Sequence, residues 1–459
     1  MDFFPAPVRN LLQRLEVNRA VAFLLLSRGW QFTSGVFTAA LLIECLSEST
    51  RGVYQLFLSL LSMQMFVELG LPGLVVLMAS HEWDRLGFGR TGRIEGDAIA
   101  LGRLSSLHKF VSRWFAVGAV IFLVGVSLNG YFEVGAKESP VDWLTPWLAL
   151  VAVNAAALIY VPKLALLEGC HEVGTISYYR LLQAVTGTLV VWAALLLGGG
   201  LWSLVAASAV RWAWEFYLVH FRYRAAFASL HEHRELVPTD WLRELWPLLW
   251  RVAIQTVGSY FSSYYFTRVI FSCQGDVEAG RFGMTWAILM TLQNASLSWV
   301  NTRAPEFGAM AARGDHELLR LRLIKTGAIS LVVFLIGAGG FSGTVLALRQ
   351  GGIKYGDAFL PLAETGLLMV GLALMLLTNL CQTSVRLYKK DLFLIPNSIT
   401  SLAIAILAWV AGHRFGGIGV AAAYAIVAGV FSLPVSGYLA WKSRPQLTQS
   451  ASTERSEPS

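Results

Sequence analysis

Two charged residues stand deep in hydrophobic sequence: Arg28, inside AFLLLSRGWQFTSGVF, and Glu68, inside LSMQMFVELGLPG. A guanidinium stays charged and grips phosphate through a matched fork of donors, whereas a carboxylate in apolar surroundings alternates between a proton and a cation. Charges at membrane depth are costly enough to mark functional sites. Three further arginines lie in apolar runs: Arg180, Arg211 with Glu215 four residues on, and Arg251. Grouped toward one half of the membrane around a water-filled cavity, Arg28, Arg180, Arg211 and Arg251 would bind a phosphate or pyrophosphate. Glu68 would then serve as coupling residue or ion-pair partner.

Each assignment has a plainer counterpart. Arg28 and Glu68 lie on runs of opposite direction at nearly the same depth, at about 1.5 Å per residue, so they can form a structural pair. Arg211 and Glu215 share a helix face and can neutralise each other. Arg180 and Arg251 can snorkel to water, as can Arg268 and Arg281 nearer the outer ends. Gly70, Pro72 and Gly73 directly after Glu68 predict a bend beside that charge.

The elements that position these residues are membrane helices. Of 459 residues, 55% are hydrophobic and 14% charged, and the mean hydropathy is +0.57, a balance that implies membrane spans. The pattern predicts twelve: 19–45, 52–79, 109–130, 143–167, 174–197, 200–221, 245–272, 281–303, 323–348, 361–386, 391–412 and 416–441. Placing the N-terminus inside puts most of the 36 Lys and Arg residues on the cytoplasmic side, as the positive-inside rule requires. The expected fold is therefore an all-α polytopic membrane protein with both ends cytoplasmic. An N-terminal six-helix bundle takes 1–221, a polar cytoplasmic linker 222–244, a C-terminal six-helix bundle 245–441, and a Ser-rich disordered tail 442–459. RGWQFTSGVF from Arg28 and RVAIQTVGSYF from Arg251 suggest a duplication.

Other signals are set aside. The formal charge of +7 is spread between apolar runs, which argues for topology and against nucleic acid. Met1 to Asn10 lack the pattern of a cleaved signal, so the first span is expected to remain in the mature chain. The four cysteines show no CxxC spacing, and HEHRE at 231–235 lacks metal-ligand spacing. Gly87, Gly89 and Gly92 spell GxGxxG outside any dinucleotide context. No cofactor or metal is expected. Of the sixteen tryptophans, most are expected in interfacial belts, as Trp241, Trp246 and Trp250 would be, and some can stack on sugars.

The run LLLSRGWQFTSGVFTAALLIECLSESTRGVYQLFLSLLSMQMFVELGL, followed by Ser80, His81 and Glu82, resembles the N-terminal signature of Wzx-type lipid-linked oligosaccharide flippases. The matching positions include Arg28, Trp30, Gly52, Tyr54, Phe57, Gln64, Phe66, Glu68, Gly70 and Leu71. A second similar stretch runs from LWPLLWRVAIQ through AGRFGMTWAILMTLQNASLSWVNTRAPEFG, and Arg268 in YYFTRVIF departs from the pattern. The resemblance implies the fold of the multidrug/oligosaccharidyl-lipid/polysaccharide exporter superfamily, two six-helix bundles around a central cavity with alternating access, in the bacterial inner membrane. It implies a non-enzymatic cargo step, in which an undecaprenyl-pyrophosphate-linked O-antigen or similar repeat unit moves from the cytoplasmic to the periplasmic leaflet for lipopolysaccharide or another surface polysaccharide. Coupling to a proton or sodium gradient, or to the membrane potential, is implied as well. Two alternatives stay open: a cation-coupled multidrug exporter of the same superfamily, and a membrane polymerase, ligase or glycosyltransferase. Short outer loops speak against the enzymes.

Reporter fusions test the topology. Fusions in 222–244 and in the tail read cytoplasmic, and those in 131–142 and 349–360 read external; one reversed half breaks the twelve-span layout.

Overall fold

The structure, a computed structural model, describes residues 19–135, 141–232, 239–388 and 392–442. The tail 443–459 and the stretch 233–238 of the linker lie outside the described residues. In chain order the helices are α1 (Arg19–Cys45), α2 (Glu48–Leu61), α3 (Met65–Glu68), α4 (Leu71–Trp83), α5 (Ala98–Gly135), α6 (Leu144–Leu158), α7 (Val161–Leu167), α8 (Val173–Leu196), α9 (Trp202–Tyr217), α10 (Arg224–Glu232), α11 (Trp241–Ser263), α12 (Tyr265–Gln274), α13 (Asp276–Thr302), α14 (Ala304–Arg313), α15 (His316–Gln350), α16 (Leu362–Arg386) and α17 (Leu394–Ile426). Helix covers each of the twelve expected spans.

Among the described residues five runs are long and apolar enough to cross a membrane unaided: Ala98–Gly135, Leu144–Leu196, His316–Gln350, Leu362–Arg386 and Leu394–Lys442. A bent pair, Glu48–Glu68 with Leu71–Trp83, adds a sixth. Two of the five hold 53 and 49 residues, far beyond the ~20 that one crossing needs. Each is interrupted by a left-handed residue, His171 at φ 64° and Gly416 at φ 66°, and so supplies two passes. Helices α1, α9 and α11, which are not among these runs, carry Arg28, Arg211 with Glu215, and Arg251.

By internal contacts the chain divides into two compact units. The first comprises Met1–Thr50 and Leu60–Val257, the second Arg51–Ser59 and Gly258–Ser459. In the first, α1 packs along α8. The Trp30 indole donates to the Ala184 carbonyl at 3.3 Å, and the Trp192 indole donates back to the Thr38 hydroxyl at 2.9 Å. Helix α9 lies between α6 and α8, tied by Asn154 to Ser208 at 3.1 Å and Trp214 to Thr186 at 3.0 Å.

The bend expected after Glu68 is present: the two helical arms meet at 42°. Leu69 (φ 45°) and Gly70 (φ 73°) are both left-handed, and Pro72 near the start of α4 suits a helix beginning. A break in hydrocarbon frees carbonyls that no water satisfies. Trp114 of α5 answers one of them, donating from its indole to the Val67 carbonyl at 3.1 Å. The approach depends on Gly118, where a Cβ would come within 2.2 Å of Val67.

One departure from the all-helical expectation is a short antiparallel hairpin, β1 (Leu86–Phe88) with β2 (Ile94–Gly96). The Gly87, Gly89, Gly92 motif forms this hairpin and its turn, in which Gly92 has φ 74°. Phe88 packs on Trp83 and Tyr223, and Ile94 is buried. The described part of the linker is built onto the first unit. Arg103 bridges Glu82 at 2.7 Å and Glu244 at 3.0 Å, its guanidinium over the Trp241 ring, and Trp241 donates to Ser106 at 3.0 Å.

In the second unit, the Arg51–Ser59 segment packs by close backbone approach. A Cβ on Gly52 would lie 1.9 Å from the Asp276 carbonyl oxygen, and one on Gly283 would meet Gln55. The break between α11 and α12 is answered as at Glu68: Trp286 donates to the Ser263 carbonyl at 2.6 Å and Ser59 to the Tyr264 carbonyl at 2.5 Å. At Gly416 the Gln274 side chain accepts from the Gly417 amide at 2.8 Å.

The break at Glu68 makes a paired test. Gly70→Ala forces a left-handed alanine whose Cβ meets Val252 at 2.2 Å, so it lowers stability by about 1–3 kcal/mol or more. Gly73→Ala, with open space around its Cβ, raises it by about 0.5–1 kcal/mol. Thermal unfolding of the purified protein reads both.

Candidate functional site

Glu68 is the last residue of α3, at the point where the helix breaks. The charged side chains that act on it are Arg211 and Glu215 of α9. Arg211 donates from Nε to Glu215 Oε1 at 3.0 Å. Glu215 is 3% exposed, and its Oε2 has no hydrogen-bond partner among the described residues. Arg180 of α8 also acts on Glu215 and forms an ion pair with Glu168. The first unit therefore holds a charge cluster contributed by α3, α8, α9 and the turn at Glu168. Glu68, Glu168 and Glu215 outnumber Arg180 and Arg211 by one.

The turn that carries Glu168 is a wide helical turn, Glu168–Glu172, kinked at Cys170 and His171. Glu172 anchors it, accepting from the Tyr223 hydroxyl at 2.7 Å and from Thr175 at 2.6 Å. Burial, reinforced by the bond to Glu172, pushes the Tyr223 phenol above its usual range, so Tyr223 remains a donor at physiological pH.

The structure treats the four predicted arginines differently. Arg180 and Arg211 each have a glutamate. Arg28 of α1 and Arg251 of α11 are exposed and pair with no carboxylate among the described residues; the Arg251 guanidinium lies 5.5 Å from the centre of the Trp250 ring. Among the described residues no Arg28–Glu68 ion pair is formed, and the basic side chain whose field acts on Glu68 is Arg211. Counting residues along a span gives height in the membrane, but not which neighbour stands beside it. Arg180, placed in the phosphate-binding set with snorkelling as its plainer counterpart, is an ion-pair partner of Glu168, and Arg281 donates to Glu278 one turn away at 2.6 Å. Glu168 was missed because EGCHE reads as the gap between two spans; a carboxylate in so short a polar gap was the available signal.

The tryptophans divide as well. Trp30, Trp114, Trp147, Trp192, Trp214, Trp241 and Trp286 donate to carbonyls or hydroxyls of other elements, so they fasten helices together instead of forming a belt. Trp246 and Trp441 are exposed, at 57% and 64%. Among the described residues no group of three or more His, Cys, Asp or Glu side chains is placed to hold a metal.

The chain matches no protein-family model and no curated protein sequence. Its fold is nonetheless that of known membrane transporters. It is similar to an inward-facing multidrug resistance transporter of the MATE family of the MOP superfamily, with 12% identity over 91% of this chain and 96% of that one and a TM-score of 0.64. It is similar to the lipid II flippase MurJ in an inward closed conformation, with 11% identity over 93% and 90% and a TM-score of 0.59. It is also similar to a MOP superfamily transporter from Pyrococcus furiosus with a reverse-polarity binding pocket, with 11% identity over 94% and 95% and a TM-score of 0.53. The chain is a polytopic all-α membrane protein that shares the fold of these transporters.

The Arg211–Glu215 contact is tested by asymmetry. Arg211→Ala strands a buried carboxylate and costs about 2 kcal/mol, less than the 3–5 of a fully buried pair because Arg211 is partly exposed. Glu215→Gln keeps a hydrogen-bond acceptor for Arg211 and costs about 1 kcal/mol or less. Equal losses in thermal unfolding would count against the pairing.

Proposed function

We propose that this chain is a Wzx-type flippase that moves an undecaprenyl-pyrophosphate-linked oligosaccharide from the cytoplasmic to the periplasmic leaflet of the bacterial inner membrane, for O-antigen or a similar surface polysaccharide. The observation that supports this reading is that Arg28 and Arg251, the two arginines at the start of the matching sequence stretches, carry no carboxylate partner among the described residues. An arginine without a counter-charge in a membrane helix suits an anionic cargo, and its planar fork matches a phosphate. Arg180 and Arg211 belong to the same proposed pyrophosphate site, with their fields tempered by Glu168 and Glu215. Glu68 is the proposed coupling residue, exchanging a proton or sodium ion against Arg211.

A cation-coupled multidrug exporter is the second reading, and the unpartnered Oε2 of the buried Glu215 favours it, since a carboxylate suits an organic cation. The likeness to a MATE-family transporter and to MurJ is compatible with either cargo. An enzyme of the same pathway has less support, because both of these structural relatives are transporters.

The experiment compares Arg28→Ala and Arg28→Lys for surface polysaccharide, for the leaflet that holds the lipid-linked unit, and for thermal stability. Arg28→Ala keeps the stability of the parent, because no ion pair is broken, and lowers export by about tenfold or more. Arg28→Lys recovers part of it, since an ammonium is a point charge without the fork. Normal export by Arg28→Ala would sink the proposal, and lost drug resistance with intact polysaccharide would move the assignment to the exporter.

Glu68→Gln separates coupling from binding. It lowers transport while leaving the affinity of the purified protein for the lipid-linked substrate largely intact, whereas an equal loss of both would place Glu68 in the substrate site.

A further inference from the structure

The second unit contains a cavity of about 1060 Å³ bounded by α15, α16 and the last helical stretch of the chain. Its volume is at the upper end of the ~300–1,000 Å³ usual for ligand pockets. The lining changes character along its length. His316, Glu317 and Arg320 supply charged and polar groups at one end, and Leu331, Leu377 and Leu433 supply apolar walls farther in. From Arg320 to Leu331 is about 16 Å along a helix, close to half of a ~30 Å hydrocarbon core. The polar end coincides with the start of α15, ahead of the span 323–348, and with the close of α16 at Arg386. The cavity thus has a headgroup-level mouth and a body as long as one leaflet is deep.

The mouth holds charges of both signs. Glu317 and Arg320 are exposed, and neither pairs with another charged side chain among the described residues. His316 Nδ1 lies 2.7 Å from the Tyr388 hydroxyl. The Tyr388 hydroxyl occupies Nδ1 and leaves Nε2 as the second hydrogen-bonding position of the ring. One end of the mouth therefore presents a guanidinium and an imidazole, and beside them stands a carboxylate. At Gly437, which also lines the cavity, an added Cβ would touch nothing within 4 Å.

We propose that this cavity is a specific site for a zwitterionic phospholipid with a primary amine in its headgroup: the phosphate on Arg320 and His316, the ammonium on Glu317, and an acyl chain along Leu331, Leu377 and Leu433. A headgroup of one sign would leave either Arg320 or Glu317 unanswered, and a polyprenyl pyrophosphate would face Glu317 with no cation to offer. The site lies within the second unit and does not rest on the identity of the cargo.

The test uses the purified full-length protein, stripped of lipid and re-equilibrated with dioleoyl phosphatidylethanolamine or dioleoyl phosphatidylglycerol, with retained lipid counted by native mass spectrometry. The parent retains phosphatidylethanolamine about tenfold better than phosphatidylglycerol, the scale of one charge-assisted hydrogen bond. Arg320→Ala lowers retention of both lipids by about the same factor. Glu317→Gln removes the preference between them while leaving phosphatidylglycerol bound as before. Gly437→Leu, which projects a branched side chain into the cavity, loses both lipids. Arg320 and Glu317 are exposed, so their variants fold whether or not Gly437→Leu does, and thermal unfolding is recorded for all three. Equal retention of the two lipids by the parent, an unchanged preference in Glu317→Gln, or displacement of phosphatidylethanolamine by undecaprenyl phosphate at equal concentration would overturn the proposal.

Discussion

Inside a bilayer no water repairs a broken helix, so each interruption must be answered by a side chain of the protein itself. The deep charges of this chain depend on that constraint. Glu68 stands just before a break made of two left-handed residues, Leu69 and Gly70, where the Trp114 indole donates to the Val67 carbonyl. The same solution recurs where α11 passes into α12, through Trp286 and Ser59, and at Gly416, through Gln274. Tryptophan serves this purpose well because its ring packs in an apolar seam while its single N–H reaches a carbonyl.

The same constraint governs the charges. Four deep arginines read as a cationic set in sequence, yet two of them have glutamates within reach, Glu215 for Arg211 and Glu168 for Arg180. What remains is a contrast between a nearly balanced cluster and two arginines, Arg28 and Arg251, without such partners among the described residues. A balanced, partly buried cluster has several protonation and pairing states close in energy, which suits coupling. An unbalanced arginine suits an anion. Both features occur in the first unit, and this division of labour is the physical content of the flippase proposal.

The linker illustrates how polar sequence is put to structural use. A stretch read as a joint between halves begins as α10, packed on α5 and on the hairpin, and the chain resumes at α11 through Trp241 and Glu244. Arg103 gathers Glu82, Glu244 and the Trp241 ring around one guanidinium. The hairpin owes its existence to the GRTGR turn between Phe88 and Ile94, whose Gly92 adopts a positive φ, and to the apolar partners of Phe88 and Ile94.

The sequence by itself determined the class of fold, the places where helices cover the expected spans, and the bend after Glu68. These follow from local quantities: the length of apolar runs against the thickness of hydrocarbon, and the backbone freedom of Gly70 beside Pro72. It also singled out Glu68 and the four arginines by their presence in apolar sequence. Only the tertiary structure decided which charge stands beside which. The field that acts on Glu68 comes from Arg211, which is itself paired with Glu215, Glu168 emerged from what looked like a gap between spans, and the hydrogen-bonded tryptophans proved to be fasteners between helices. Height along a membrane helix can be counted from the chain. The lateral order of helices and the rotation of each about its axis are set by packing among distant segments, and that information is spread over contacts that no single stretch of sequence displays.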